Sequence, residues 1–184
     1  MNIQNKFSRR RFVRLAALST GGVYLFARCA KPVSVWRFFT NSEAKLMDAL
    51  ADQMIPPDEW PGGSESGVTN FIDKQLMGPY FRFQNEYRRG LKGIQDSCDA
   101  LYHKRFEEIS FKEQTNFLEL MEAGKIPGAV STGGLDRNFF ALFRDHSMQG
   151  YYGSSRHGGN RDNISYKMLR LDYPLIIGQN RYKN

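Results

Sequence analysis

The sequence predicts an all-α fold, a single small domain of about five helices with long loops over residues 36–184. Three observations carry that prediction. Apolar residues recur at intervals of three and four through most of the chain after residue 40, the spacing that lines one face of a helix. Two boxes of the Ser/Thr-x-x-Glu type, Thr40-Asn41-Ser42-Glu43 and Ser110-Phe111-Lys112-Glu113, mark helix starts. Finally, no apolar-polar alternation of useful length argues for a strand. With 184 residues, 41% apolar and 14% aromatic, the chain is able to bury one real core.

Taken in order, the aromatic residues Trp36, Phe38 and Phe39 lead into the first box, and a helix starts there. Leu46, Met47, Leu50, Ala51 and Met54 form its apolar stripe, and Ile55-Pro56-Pro57 ends it. Asp58 to Gly67, with Pro61, Gly62 and Gly63, reads as a loop. A second helix is expected from Val68 to Met77, with Phe71, Ile72 and Leu76 inward and Gly78-Pro79 as its stop. Tyr80 to Phe106 reads as one long helix, or two, with Tyr87, Leu91, Ile94, Cys98, Leu101, Tyr102 and Phe106 along one face; Gly90 and Gly93 weaken its middle. The second box starts a helix carrying Phe117, Leu118 and Met121, which Gly124 closes. Ile126 to Gly134 is a loop, and Leu135 to Gln149 is the last helix, holding Phe139, Phe140, Leu142, Phe143 and His146.

Ahead of this domain stands a different kind of segment. Ser8-Arg9-Arg10-Arg11-Phe12-Val13-Arg14 is followed by an uncharged, mildly apolar run ending near Cys29, the layout of an export signal. The order resembles the twin-arginine leader, S-R-R-x-F-L-K, with Ser8, Arg9, Arg10 and Phe12 matching. Residues 1–30 are therefore expected to act as a signal peptide read by the twin-arginine translocase, with the mature protein in the periplasm. The apolar run is too short and too glycine-broken to span a bilayer stably. Cys29 raises the alternative of a lipidated, structural lipoprotein, against which Arg28 stands where the lipoprotein peptidase needs a small residue.

The leader also dominates the charge. The whole chain carries +7, but Lys6, Arg9, Arg10, Arg11, Arg14 and Arg28 precede the first acid, Glu43, leaving 20 cations against 19 acids beyond residue 29. A domain so nearly neutral, with basic residues alternating with acids, is no platform for nucleic acid. The two cysteines, Cys29 and Cys98, are too few for a disulfide framework or an all-cysteine metal site, and Cys98 reads as a small buried core residue.

Three stretches of the domain form a recognisable set. Phe38-Phe39-Thr40 runs on to Asp52-Gln53-Met54-Ile55-Pro56-Pro57-Asp58. Gly67-Val68-x-x-Phe71-Ile72-Asp73 follows, and His146-Ser147-Met148-Gln149-Gly150-Tyr151-Tyr152 precedes Gly158-Gly159-Asn160-Arg161-Asp162. In this order and spacing, with the leader, they resemble the gluconate 2-dehydrogenase subunit 3 family over about residues 36–170. The resemblance implies a companion subunit with no cofactor of its own. Its expected partners are a flavoprotein of the glucose-methanol-choline (GMC) type, which binds FAD and performs the oxidation of a sugar, sugar acid or polyol, and often a multi-haem cytochrome c. The resemblance further implies that the small subunit carries the export signal and is needed for the flavoprotein to mature and leave the cell. After Lys167 the chain departs from the common Gly/Pro-rich ending, which leaves the sugar open.

The residues themselves give no catalytic constellation: G-x-G-x-x-G, H-E-x-x-H and G-x-S-x-G are absent, and His103, His146 and His157 lack helical metal-pair spacing. His103 reads as a solvated helix residue. His146 stands at the end of the last helix, where the ring would meet the helix terminus or bond a loop carbonyl; alternatively it reaches the flavoprotein near its substrate entrance. A rival reading makes the chain an independent periplasmic carbohydrate-active enzyme with His146 as acid/base. Gly158-Gly159-Asn160-Arg161-Asp162 has the chemistry of a tight turn, and Arg161 could pair with Asp162, with Asp145 or with a partner carboxylate. Tyr151 and Tyr152 open an aromatic C-terminal third, residues 151–182, expected to wrap the flavoprotein.

Overall fold

Thr40 starts the helical array by the predicted chemistry. Its hydroxyl oxygen accepts from the Glu43 N–H at 3.2 Å, and the Glu43 carboxylate accepts from the Thr40 N–H at 2.8 Å, so two orphan donors of the first turn are satisfied reciprocally. The computed structural model describes residues 35–126 and 135–171. Among the described residues there are six α-helices: α1 (Asn41–Met54), α2 (Val68–Leu76), α3 (Gln84–Tyr102), α4 (Phe111–Glu122), α5 (Leu135–Tyr152) and α6 (Ile164–Met168). Four single 3-10 turns punctuate them, at Phe81–Phe83, Phe106–Glu108, Ser155–His157 and Arg161–Asn163. The described residues contain no strand, and the fold is all-α as the periodicity predicts. Residues 1–34, which hold the expected export signal and Cys29, residues 127–134 and residues 172–184 lie outside the described residues.

Helix α1 buries Leu46, Met47, Leu50 and Ala51 on its predicted stripe, and its last turn closes where the Ile55 N–H donates to the Ala51 carbonyl. The loop that follows is packed against α1: a Cβ on Gly63 would lie 2.4 Å from the Ala51 carbonyl oxygen, so only glycine lets that backbone approach. In α2, Phe71, Ile72 and Leu76 turn inward as expected. The second box works like the first. Ser110 and Glu113 cap α4 reciprocally, and the buried Gln114 then donates to the Phe106 carbonyl at 2.9 Å while accepting from Gln53 of α1 at 2.9 Å. That amide joins three elements at one point.

Two element boundaries differ from the sequence reading. The stretch Tyr80 to Phe106 divides into a 3-10 turn, helix α3, and a second 3-10 turn. Helix α3 stops at Tyr102 because His103 takes a left-handed φ of 53° and its N–H closes on the Asp99 carbonyl. Phe106 still reaches the core, from the second turn, where the Gln95 side chain accepts its N–H at 3.1 Å, while Leu101 is exposed instead of lying on the buried face. Helix α5 runs three residues past Gln149, to Tyr152. Gly150 there is a packing site, with a Cβ position 3.0 Å from the Phe71 ring, so α2 and α5 cross in close contact. The short α6 was not legible as a helix at all.

The core gathers Phe39, Met47, Ile72, Tyr87, Phe106, Phe117, Phe139 and Phe143, each at most 2% exposed. A fully buried side chain of this size contributes about 1.5–3 kcal/mol. Cys98 is buried among them as the sequence suggests, and burial pushes its thiol up to about 12.

Candidate functional site

His146 is the buried histidine of the domain, set among aromatic rings. Helix α5 places its ring inside the protein, 4% exposed, between side chains from the α2–α3 connection and from α3. Tyr80 stacks on one side with ring centroids 4.0 Å apart and planes 11° apart; the Phe83 ring meets it edge-on at 5.3 Å. The Tyr87 hydroxyl lies 3.0 Å from Nδ1. Burial pushes the ring down to about 4; Asp145 opposes that shift and the Arg82 guanidinium adds to it. Burial also raises the Tyr87 phenol well above its ordinary value. At neutral pH these are two uncharged groups joined by one hydrogen bond, with the Tyr87 hydroxyl able to donate to Nδ1 when Nε2 carries the ring hydrogen.

This geometry corrects the expectation for His146. The helix continues beyond it, so the ring does not meet a helix terminus, and its partner is a tyrosine hydroxyl from another helix instead of a loop carbonyl. As an acid/base it is poorly placed. A ring of pKa about 4 is not imidazolium at neutral pH and so is no general acid, and its Nδ1 is engaged by the Tyr87 hydroxyl. Asp145, the adjacent carboxylate, points outward to Arg144 at 3.6 Å.

The Gly-Gly-Asn segment is held from three directions. Asn160, fully buried with a left-handed φ of 43°, donates from Nδ2 to the Gly153 carbonyl at 2.7 Å and accepts the Ser165 N–H on Oδ1 at 3.0 Å, so one side chain pins both ends of the loop. The Arg161 N–H donates to the Ser66 carbonyl at 2.9 Å, and Asn70 of α2 donates to the Gly158 carbonyl at 2.7 Å. Gly159 is obligatory, since a Cβ there would fall 2.1 Å from the Gly150 carbonyl oxygen. Internal pinning is thus the work of Asn160 and of the Arg161 main chain. The Arg161 side chain is exposed; among the described residues neither Asp162 nor Asp145 forms a salt bridge with it, and its charge acts on Asp48 of α1. Burial raises the Asp48 carboxyl, with Asp52 adding to that and Arg161 and the Thr69 hydroxyl opposing it.

The structure therefore divides the six residues singled out by sequence. His146, Tyr151 and Asn160 face inward, with the Tyr151 hydroxyl donating to the Pro61 carbonyl at 3.1 Å, and only Tyr152, Arg161 and Asp162 present side chains to solvent. Of the segment expected to wrap a partner, Tyr152, Leu169 and Leu171 are exposed; the part beyond residue 171 lies outside the described residues. His103 is exposed at the end of α3, as its reading suggests.

The sequence reading assigned no polar role to three residues. Tyr80 and Tyr87, seven apart, hold His146. Asp73, fully buried in α2, accepts the N–H groups of Arg37, Phe38 and Phe39 at 2.9, 2.8 and 3.0 Å and so fixes how the chain enters the domain. Its signal was a carboxylate standing inside the apolar stripe Phe71, Ile72 and Leu76.

Beside His146 the surface opens into a cleft of about 430 Å³. Phe71, Pro79 and Tyr80 supply apolar lining, and Gln75, Gln149, Ser154 and His157 supply polar groups; the Tyr80 hydroxyl donates to the Gln149 side-chain oxygen. Among the described residues no cluster of three metal-ligating side chains forms, and no helix is long and apolar enough to cross a membrane. A family model described as Gluconate 2-dehydrogenase subunit 3 matches residues 41–172. No curated protein and no solved structure matches the chain.

Proposed function

The chain belongs to the gluconate 2-dehydrogenase subunit 3 family, a subunit of dehydrogenase complexes, and from that premise we propose that it is the non-catalytic small subunit of a periplasmic, FAD-dependent GMC-type sugar, sugar-acid or polyol dehydrogenase. The flavoprotein partner binds FAD and carries out the oxidation. This chain supports maturation of the flavoprotein and takes it through the twin-arginine route.

The observation that carries this reading is where the buried polar groups are spent. Asn160, Asp73, Gln114 and Tyr151 are all bonded to main-chain groups of other segments, and the buried histidine is neutral and bonded to Tyr87. Such bonds brace loops, and a braced surface loses little entropy when a partner lands on it. A domain built this way is suited to holding another protein.

The experiment is purification of the tagged chain from the periplasm of its source. A flavoprotein identified by mass spectrometry, with flavin absorbance in the eluate, is the expected result. A chain that elutes alone, or that oxidises or hydrolyses a sugar by itself, overturns the reading.

A further inference from the structure

The connection between α2 and α3 shows what a bracing reading leaves unexplained. Phe81 is 67% exposed and Met77 52% exposed, two large apolar side chains in one turn that also contributes Pro79 and Tyr80 to the cleft beside His146. An isolated exposed apolar residue needs no explanation, but two exposed in the same turn that supplies part of an apolar groove's lining mark a candidate contact surface.

This turn is held fixed. The Tyr80 N–H donates to the Gln75 carbonyl at 2.8 Å, the Phe81 N–H to the Gly78 carbonyl at 3.0 Å and the Phe83 N–H to the Tyr80 carbonyl at 2.8 Å, while the Gln84 amide donates to the Leu76 carbonyl at 2.9 Å. Stacking on His146 then fixes the Tyr80 ring from below. The two apolar side chains are displayed on a prepared support, and the entropy lost on contact is correspondingly small.

Three cations stand close to the cleft lining along the chain. Arg82 is two residues past the lining Tyr80 and lies over the Phe83 ring at 4.6 Å, Arg156 sits in the 3-10 turn that contributes His157, and Lys74 precedes Gln75, while Asp145 acts on His146 beneath Tyr80. None of these three cations forms a salt bridge among the described residues, whereas Arg88, Arg89, Lys92, Arg105 and Arg144 each meet a carboxylate. No carboxylate lines the cleft.

We propose that this turn and cleft are the seat of the dehydrogenase partner, taking an apolar side chain of a partner segment whose flanking carboxylates meet Lys74, Arg82 and Arg156. The inference rests on the subunit reading above and locates its interface at a place other than the C-terminal third. Apolar anchors in the centre supply affinity, and the surrounding charges set orientation and association rate.

The test uses the full chain produced together with the flavoprotein that the periplasmic purification identifies. Phe81→Glu and Met77→Glu are compared with Phe111→Glu, a comparably exposed residue on α4. The first two are expected to lower flavin recovery about tenfold or more, and Phe111→Glu to leave it unchanged, while all three keep the wild-type circular dichroism and melting temperature. Arg82→Glu with Arg156→Glu is expected to reduce recovery and to flatten its dependence on salt.

Equal recovery across the three apolar variants, with wild-type capture intact, overturns the seat and leaves the subunit reading standing; wild-type chain that captures no flavoprotein overturns both. A Phe81-dependent dimer of the isolated chain in sedimentation would assign the surface to a second copy. Such a dimer replaces the dehydrogenase as the occupant.

Discussion

His146 is a histidine kept from its charge. Its folded pKa of about 4 lies below the ordinary value of 6.5, so between these values the unfolded chain binds more protons than the folded one. Stability from this group is complete above about pH 6.5 and is lost progressively as the pH falls toward 4, by an amount on the order of 2–3 kcal/mol. Wild type and His146→Gln should therefore differ most in melting temperature at pH 7, and the gap should close toward pH 4.5. Carboxylates such as Glu43 and Glu107, which their arginine partners hold below the ordinary range against the opposing effect of burial, are common to both proteins and cancel in the comparison. Parallel curves would show that the ring is not buried neutral. The sequence marked His146 but not its environment, because Tyr80 and Tyr87 come from 59 to 66 positions away and no local spacing encodes that meeting. Asn160 was legible as a turn residue, since Gly-Gly-Asn chemistry is local. That its amide spans to Gly153 and Ser165 was not.

Gly90 shows the same division at the scale of elements. In sequence it is a weak point of a long helix, because glycine in a helix interior is less favourable than alanine by about 0.5–1 kcal/mol. In the structure it is where Phe139 of α5 lies against α3: a Cβ at Gly90 would fall 2.3 Å from the ring. Gly90→Ala should consequently destabilise, overpacking at about 1–3 kcal/mol outweighing the gain in propensity, and the melting temperature should drop by several degrees. A variant that melts higher than wild type would mean that α5 can shift freely away. Helix starts were readable here because capping boxes are written in four consecutive residues; both boxes form as read. Helix ends were less readable. The stop at Tyr102 depends on one left-handed histidine, and the extension to Tyr152 depends on Gly150 serving a helix crossing. Neither dependence is visible without the partner element.

For the whole molecule the question is how address and grip are divided. The net positive charge of the chain is concentrated before residue 29, and the remainder is nearly neutral. Under the proposed function the leader speaks to the translocase and the domain holds the flavoprotein. These jobs are separable by substitution. Arg9→Lys with Arg10→Lys should leave both this chain and the flavoprotein in the cytoplasm, still co-purifying, because lysine keeps the charge but not the planar, multi-donor guanidinium. Phe81→Glu should do the reverse: the small chain reaches the periplasm and the flavoprotein stays behind. Fractionation with flavin absorbance and immunodetection of both chains reads the two cases. If the flavoprotein is exported unaltered when the arginine pair is changed, the leader does not carry it. If Phe81→Glu retains both proteins together, the grip lies elsewhere on the domain. Only the first of the two crossed outcomes was readable from sequence, since a leader is linear. The second needed the fold, which brings Tyr80 and Phe83, on either side of Phe81 in the chain, against His146, 66 and 63 positions further along.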